Sequence, residues 1–185
     1  MNGKIQNVKK YEEFRKVFDI FKHYPFYEAW SEEEFQSEYD YLKTEGEIFG
    51  YYMNTGEIVG LVSLVYGAKS EHPLTFENPN KVMYLSDIAV LDNYRGNGYG
   101  KRLADFAIEY TKLFNYYNEM YLRTNLENSM SEGIFVNRGF EVMKENGNII
   151  TQEVSFERTK ADLPTLDTRK FLSKRLILKW NNFNY

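Results

Sequence analysis

Val90-Leu91-Asp92-Asn93-Tyr94-Arg95-Gly96-Asn97-Gly98-Tyr99-Gly100-Lys101-Arg102 is the stretch on which the fold of this chain turns. The apolar run Met83-Tyr84-Leu85-Ser86-Asp87-Ile88-Ala89-Val90 leads into it. A helical apolar pattern leaves it, with Leu103, Phe106, Ala107, Tyr110, Leu113 and Phe114 on one face. The spacing predicts a strand, a glycine-rich turn and the start of a helix. That order aims several unpaired backbone N–H groups and the positive end of a helix dipole at one spot, which suits phosphate. Glycines at 96, 98 and 100 let a large anion approach the main chain, because no Cβ stands in the way. A plain strand-to-helix connection also carries glycines, so spacing has to decide. No Gly-Lys-Ser/Thr follows, which excludes a P-loop. A dinucleotide fold wants Gly-x-Gly-x-x-Gly after the first strand of a βαβ unit, and neither spacing nor position agrees.

The spacing that does match is Arg/Gln-x-x-Gly-x-Gly/Ala, here Arg95-Gly96-Asn97-Gly98-Tyr99-Gly100. Downstream lie Met120-Tyr-Leu-Arg-Thr-Asn125 and then Asn128-Ser-Met-Ser131-Glu-Gly-Ile134-Phe135-Val-Asn-Arg-Gly139-Phe140. The first element resembles the pyrophosphate loop of the GNAT superfamily of N-acetyltransferases. The second resembles that family's later motif, Asn-x-x-Ala-x-x-Leu-Tyr-x-x-x-Gly-Phe, with Ser131 at the Ala position and Phe135 at the Tyr position. Two motifs in the right order are far more specific than either alone. The resemblance covers about residues 4–156. It implies an α/β (α+β) fold with a mixed, largely antiparallel central sheet of six to seven strands and helices on both faces. Residues 1–157 would form the acetyltransferase domain. Residues 158–185 would be a C-terminal extension, packed on that domain or completing its sheet.

Composition agrees with one folded domain. The chain has 185 residues, of which 43% are hydrophobic and 17% aromatic, too many aromatics for a disordered chain. Lys and Arg number 23 against 27 Asp and Glu, a net charge of −4, and nucleic-acid binding expects a basic footprint instead. Cysteine is absent, which removes disulfides, a thiolate nucleophile and Cys-ligated zinc; no metal is expected. No stretch reaches the ~20 apolar residues of a membrane span, and no signal-length apolar run opens the chain. The expectation is a cytoplasmic protein with no membrane or nucleic-acid partner.

Along the chain, Ile5–Lys9 reads as a first strand and Tyr11–His23 as a helix, with Phe14, Val17, Phe18 and Phe21 on one face and Tyr24-Pro25 stopping it. Ser31-Glu-Glu-Glu34 is a capping box, with Trp30 and Phe35 placed as its hydrophobic staple. The helix it opens carries Phe35, Tyr39 and Leu42 on one face, and Gly46 reads as its terminator. Glu47–Met53 and Glu57–Tyr66 read as a hairpin about Asn54-Thr-Gly56. A polar loop, Gly67–Lys81, precedes the central strand. Met120–Thr124 is a strand and Ser129–Asn137 a short helix ended by Gly139. Phe140–Glu145 and Asn148–Phe156 flank Asn146-Gly147, the strongest short hairpin signal. In the tail, Arg175-Leu-Ile-Leu-Lys-Trp180 is either a further strand or a replacement for Asn148–Phe156 as the last family strand.

The resemblance implies acetyl transfer from acetyl-CoA to an amine. The donor must be held, its carbonyl polarised, the amine made neutral and the thiolate released. By resemblance, the diphosphate lies across the N–H groups of Arg95, Gly96, Asn97, Gly98, Tyr99, Gly100 and Lys101. Lys101 and Arg102 either add charge near the phosphates or form a solvated helix face. A main-chain N–H among Ile88, Ala89 and Val90 polarises the carbonyl, and the pantetheine arm pairs with this strand where it diverges from the next. Of the two histidines, His23 suits the C-terminal end of a helix and His72 a solvated loop, so neither reads as a base. Asp87 is the better candidate. Alternation puts Tyr84, Ser86, Ile88 and Val90 on one face and Leu85, Asp87 and Ala89 on the other. Asp87 either binds an ammonium or relays its proton through water, or it only hydrogen-bonds nearby backbone. Relatives often carry Glu where Ser86 stands, and many use a Tyr at the Phe135 position to protonate the leaving sulfur; Phe has no proton to give. Asn128 is a candidate partner for pantetheine or a site water, or a helix N-cap.

Residues 26–50 hold Glu28, Glu32, Glu33, Glu34, Glu38, Asp40, Glu45 and Glu47 against Lys43 alone. In the family the first helices border the acceptor site, so Glu28, Trp30 and Tyr84 are the candidate acceptor contacts. An acidic rim favours a cationic amine or a peptide N-terminus; the plainer reading is a solvated helix face. The tail is basic, with Arg158, Lys160, Arg169, Lys170, Lys174, Arg175 and Lys179 against Asp162 and Asp167. It would fold onto the acidic face of its own chain or of a second subunit, as in a homodimer. The function expected is an N-acetyltransferase working by direct attack. The alternative is a non-catalytic acyl-CoA-binding sensor or interaction module.

Overall fold

The structure, a computed structural model, describes residues 3–23, 30–67, 78–114, 116–117, 119–125, 129–159 and 168–181. An eight-stranded sheet carries the molecule, against an expectation of six to seven. Strands β1 (Gly3–Asn7), β2 (Gly46–Met53), β3 (Ile58–Tyr66) and β4 (Val82–Val90) follow one another as antiparallel neighbours. Strand β5 (Glu119–Asn125) then lies parallel to β4, and only from Val82/Glu119 to Leu85/Leu122. Beyond those pairs the two strands part.

The local signals become local structure. Helix α1 (Tyr11–Phe18) gives way at Asp19–His23 to a 3-10 turn rather than running on as one helix. Helix α2 (Glu32–Glu45) is opened by the capping box: Ser31 Oγ accepts from the Glu34 N–H at 3.3 Å, and Glu34 Oε2 accepts from the Ser31 N–H at 2.7 Å. Trp30 and Phe35 meet edge to face with centroids 5.3 Å apart, closing the staple. Helix α3 (Tyr99–Leu113) follows the glycine turn and buries Leu103, Ala104, Ala107 and Ile108. Phe106 and Tyr110 pack their rings on Phe49, whereas Leu113 and Phe114, read as part of the same face, are exposed. Helix α4 (Ser129–Val136) buries Phe135.

The C-terminal region is where pattern reading left two options. Strand β6 (Glu141–Val142) pairs with a long last strand, β10 (Thr168–Asn181). The Asn146-Gly147 turn joins β7 (Lys144–Glu145) to β8 (Asn148–Ile149) with positive φ at both residues, 51° and 82°. Strand β9 (Thr151–Thr159) pairs with the first part of β10, and the second part of β10, Arg175–Asn181, pairs antiparallel with β5. The neighbour of β5 is thus supplied by the tail and not by Asn148–Phe156.

Two apolar clusters sandwich the sheet. One holds Phe49, Val62, Leu64, Met83 and Leu85 beneath Leu103, Ala107 and Phe135 of α3 and α4. The other holds Ile48, Leu61, Val65, Tyr84 and Tyr121 beneath Phe14, Phe18, Phe35 and Leu42 of α1 and α2. Helix α2 ends at Gly46 without the left-handed glycine expected of a terminator; its φ is −170°, extended backbone that starts β2. Glycine is required there by close approach instead, because a Cβ would fall on the Leu64 carbonyl oxygen. Gly46→Ala is therefore expected to destabilise the protein by about 3 kcal/mol, a Tm drop of roughly 5–10 °C measurable by thermal unfolding.

Candidate active site

The glycine turn forms a cup of backbone amides. Gly96 and Gly98 both have φ +79°, and a Cβ at either would meet nothing within 4 Å, so the turn is open on its outer side. The first amide held by the helix ladder is that of Arg102, which donates to the Gly98 carbonyl at 3.1 Å. Ahead of it, the amides of Gly96, Asn97, Gly98, Gly100 and Lys101 have no backbone acceptor among the described residues. The Arg95 amide differs from the expectation: it donates to the Asp92 carbonyl at 3.1 Å, so the cup begins at Gly96. The Arg95 guanidinium pairs with Asp92 at 2.9 Å and reaches the Val90 carbonyl at 3.3 Å. The exposed Asn97 side chain folds back on its own loop, its Nδ2 donating to the carbonyls of Tyr94 and Arg95 at 3.1 and 3.2 Å. The Tyr99 side chain is buried against Tyr51, so it is the main chain of Tyr99 that belongs to the turn.

Beside the cup, no described strand pairs with β4 beyond Leu85 on the β5 side. Leu91 donates its N–H to the Val59 carbonyl on β3 at 2.9 Å. Strand alternation then turns the Ala89 N–H toward β3 as well, and those of Ile88 and Val90 toward the side that β5 has left. The Val90 carbonyl, taken by Arg95 on that side, agrees. Of the three residues expected to polarise a carbonyl, Ala89 is therefore excluded, and Ile88 and Val90 remain.

Register between β3 and β4 shifts at one point: Ser63 stands opposite Asp87, but Leu64 stands opposite Leu85. Ser86 is the extra residue of a β-bulge, and a bulge breaks the period-two alternation. Hence Leu85 shares the α3 face with Ile88 and Val90, while Tyr84 shares the α1/α2 face with Ala89. The sequence-based assignment of faces fails at this residue. Its consequence is chemical, because Tyr84 and Asp87 now stand on the same face of the sheet. Asp87 is buried, and its Oδ2 accepts a 2.6 Å bond from the Ser63 hydroxyl. Arg123 of β5 donates its Nε to the Tyr84 hydroxyl at 2.9 Å, with the guanidinium carbon 5.6 Å from the ring centroid.

Residues 14–140 match the Acetyltransferase (GNAT) family. The chain belongs to that family. Its sequence is 30% identical over 137 residues to an uncharacterised N-acetyltransferase of Halalkalibacterium halodurans, covering 74% of this chain and 72% of that protein. The fold is similar to that of ribosomal-protein-alanine N-acetyltransferase from Brucella melitensis (TM-score 0.68, 14% identity, 96% of this chain and 99% of that one). It is also similar to a GNAT acetyltransferase from Elizabethkingia anophelis with acetyl-CoA bound (TM-score 0.57, 16% identity, 97% and 98%).

In this GNAT chain the remaining expected site residues fall into three groups. Glu28 and Asn128 lie outside the described residues. Phe135 is a core residue, 1% exposed, meeting Phe140 edge to face at 5.2 Å. Trp30 is occupied with the staple and with Phe18, whose ring it parallels at 6.5 Å. The acidic rim is also partly committed. Glu32 accepts from the Tyr11 hydroxyl at 2.6 Å and from Arg15 Nε at 2.9 Å, and these bonds hold its carboxyl below the usual range. Glu34 caps its own helix, Asp40 accepts from Gln36 at 3.0 Å, and Glu47 accepts from Asn7 at 2.7 Å. Among the described residues, no helix is long and apolar enough to cross a membrane, and no three His, Asp or Glu are placed to hold a metal ion.

Sequence reasoning passed over Ser63, Arg123, Glu57 and Tyr94. A lone aliphatic hydroxyl in Ile58–Tyr66 and a lone cation in Met120–Thr124 were the available signals. Glu57 ties the 3-10 turn Asp92–Tyr94 ahead of the cup to α1: its Oε2 accepts from the Tyr94 hydroxyl at 2.7 Å and its Oε1 pairs with Lys16 at 2.9 Å. The Tyr94 hydrogen bond, then Lys16, holds the Glu57 carboxyl below the ordinary value. A depressed carboxyl stabilises the fold above the unfolded pKa, about 4.3, and the benefit disappears as pH falls through the folded value. The Tm difference between the native protein and Tyr94→Phe is expected to be constant from pH 6 to 8 and to shrink below about pH 4.

Proposed function

We propose that the protein transfers an acetyl group from acetyl-CoA to a primary amine by direct attack, with no covalent enzyme intermediate. The observation that carries the reading is the conjunction of the amides of Gly96, Asn97, Gly98, Gly100 and Lys101, which have no backbone acceptor among the described residues, with the edge of β4 beside them, which no described strand pairs beyond Leu85. These residues fit the donor. The cup suits a diphosphate, and the edge suits an extended amide-bearing arm that pairs as a strand would. Acetyl-CoA supplies the acetyl thioester. The N–H groups of Ile88 and Val90 face that edge and are placed to polarise a carbonyl lying along it.

The acceptor enters from the α1/α2 face, where Asp87 lies. Asp87 holds the incoming ammonium and takes its proton, directly or through water, so that the neutral amine attacks. The acceptor is a small amine or a peptide N-terminus. A polycation has less support, because the carboxylates of Glu32, Glu34, Asp40 and Glu47 already accept from internal partners. The buried Phe135 offers no proton to the leaving sulfur, so the thiolate departs without help from α4. A thiol of pKa near 8.5 tolerates that. The cytoplasmic setting belongs to the same proposal and rests on the cysteine-free composition.

Thiol release from acetyl-CoA, followed across a broad panel of amines, tests the proposal. Turnover with at least one amine supports it. Tight acetyl-CoA binding with no turnover on any amine favours the alternative of an acyl-CoA-binding module.

A further inference from the structure

We propose that Thr124 is a catalytic residue, its hydroxyl donating a hydrogen bond to the thioester sulfur and to the thiolate that leaves. The inference rests on the acetyl-transfer reading above. It supplies from β5 the leaving-group contact that the buried Phe135 of α4 does not offer.

Three observations carry it. First, Thr124 is a buried hydroxyl without a partner among the described residues. The other two buried serine or threonine hydroxyls are committed: Ser63 donates to Asp87 at 2.6 Å, and Thr111 donates to the Ala107 carbonyl at 2.9 Å. Thr124 is 7% exposed, and its hydroxyl bonds to none of the described residues. Such a group calls for a partner from outside the chain. Second, the residue lies at the split. Pairing of β4 with β5 stops at Leu85/Leu122, and Thr124 is two residues further along β5. Leu122 packs in the cluster beneath α3 and α4, so alternation puts Thr124 on that same face. The amide cup opens α3 on this side of the sheet, and Asp87 stands on the other.

Third, the bulge sets the level of the two strands. Ile88 is three residues beyond Leu85, and one of the three, Ser86, is the extra residue of the bulge. Ile88 therefore stands level with Thr124 across the split, and its N–H faces the same gap. An extended arm held between parted strands lies about 4.8 Å from each, within reach of a threonine hydroxyl. A thioester whose carbonyl is polarised at Ile88 thus has Thr124 on its other flank.

The ammonium loses one proton to Asp87 or to water before attack. The amine nitrogen then bonds to the thioester carbon from the α1/α2 face, and the carbonyl π pair moves onto oxygen beside the Ile88 N–H. As that pair returns, the C–S bond breaks and its electrons go to sulfur on the α3 side. There the Thr124 O–H stabilises the thiolate. The hydroxyl is far less acidic than a thiol and keeps its own proton. The nitrogen loses its second proton to water as the amide forms.

The test uses an amine that the native protein acetylates and measures the single-turnover rate of thiol release. It compares the native chain with Thr124→Val, which has nearly the same shape and no hydroxyl, and with Thr124→Ser, which keeps one. Thr124→Val is expected to slow release roughly 10- to 100-fold, the worth of one hydrogen bond to a developing charge, with acetyl-CoA affinity by calorimetry unchanged. Thr124→Ser is expected to recover most of that loss. The Tm of Thr124→Val is expected at or above the native value, because the substitution breaks no bond to the described residues. Native release rates in Thr124→Val, a loss that Thr124→Ser does not recover, or a Tm well below native in Thr124→Val overturns the assignment while leaving acetyl transfer in place. Absence of thiol release with every amine in the native protein overturns the acetyl-transfer reading, and this inference with it.

Discussion

Gly98→Glu is expected to lower acetyl-CoA affinity at least a hundredfold while leaving the fold intact. Gly98 sits at the N-cap of α3 with φ +79° and ψ 6°, in the left-handed region. Any L-residue there costs about 1–2 kcal/mol in backbone strain. No heavy atom lies within 4 Å of a Cβ at this position, so neither a clash nor a displaced neighbour adds to the cost in the free protein. The carboxylate is a different matter. It stands among the amides of Gly96 to Lys101, where the proposal places a diphosphate. At about 5 Å and an effective dielectric of about 20, one charge repels another by about 3 kcal/mol. That alone is about a hundredfold in Kd. Gly98→Ala separates the two effects, because it carries the strain without the charge. It is expected to lose a few degrees of Tm and only a few-fold in affinity. Calorimetric titration with acetyl-CoA measures both. A Gly98→Glu protein that binds acetyl-CoA as the native chain does removes the diphosphate from this cup.

The parts of the fold that are legible in the sequence are those decided within a few residues of chain. The Ser31–Glu34 box and its Trp30–Phe35 staple close over six consecutive positions, and the structure forms both. Asn146-Gly147 needs only two residues willing to take positive φ. The strand-turn-helix unit at 83–113 is legible for the same reason, and with it the cup of amides. What fails is decided between strands. The bulge at Ser86 exists only as a mismatch between β3 and β4, and nothing in the nine letters of β4 marks it. Arg175–Trp180 and Asn148–Phe156 have comparable strand character, and only the long-range pairing with β5 selects between them. Gly46 reads as a helix stop because glycine commonly is one, whereas its true constraint comes from Leu64 on the next strand. The candidate site suffers most, since the Ser63–Asp87 and Tyr84–Arg123 bonds join residues of three strands.

Asp87→Asn is expected to reduce kcat about a hundredfold and to change acetyl-CoA affinity less than threefold. The substitution is close to isosteric, and the amide oxygen can still accept from the Ser63 hydroxyl, which lies 2.6 Å from the native carboxylate. Packing around the buried position is therefore kept, and what is lost is the charge. If Asp87 holds the ammonium and accepts its proton, the variant must wait for amine that is already neutral in solution. General-base removal of this kind typically costs 10²–10⁴-fold. The deficit should shrink as pH rises, because neutral amine becomes more abundant without the enzyme's help. The slope of log kcat/KM against pH is accordingly expected to be steeper in Asp87→Asn than in the native chain. A purely structural Asp87 predicts the opposite signature, a lowered Tm with kcat and its pH profile unchanged. Because the proposal assigns donor binding to the amides of the glycine turn and to the edge of β4, neither of which involves the Asp87 side chain, a large loss of acetyl-CoA affinity would also count against the role assigned here. Full activity of Asp87→Asn from pH 6 to 9 would leave the ammonium to another group on the α1/α2 face.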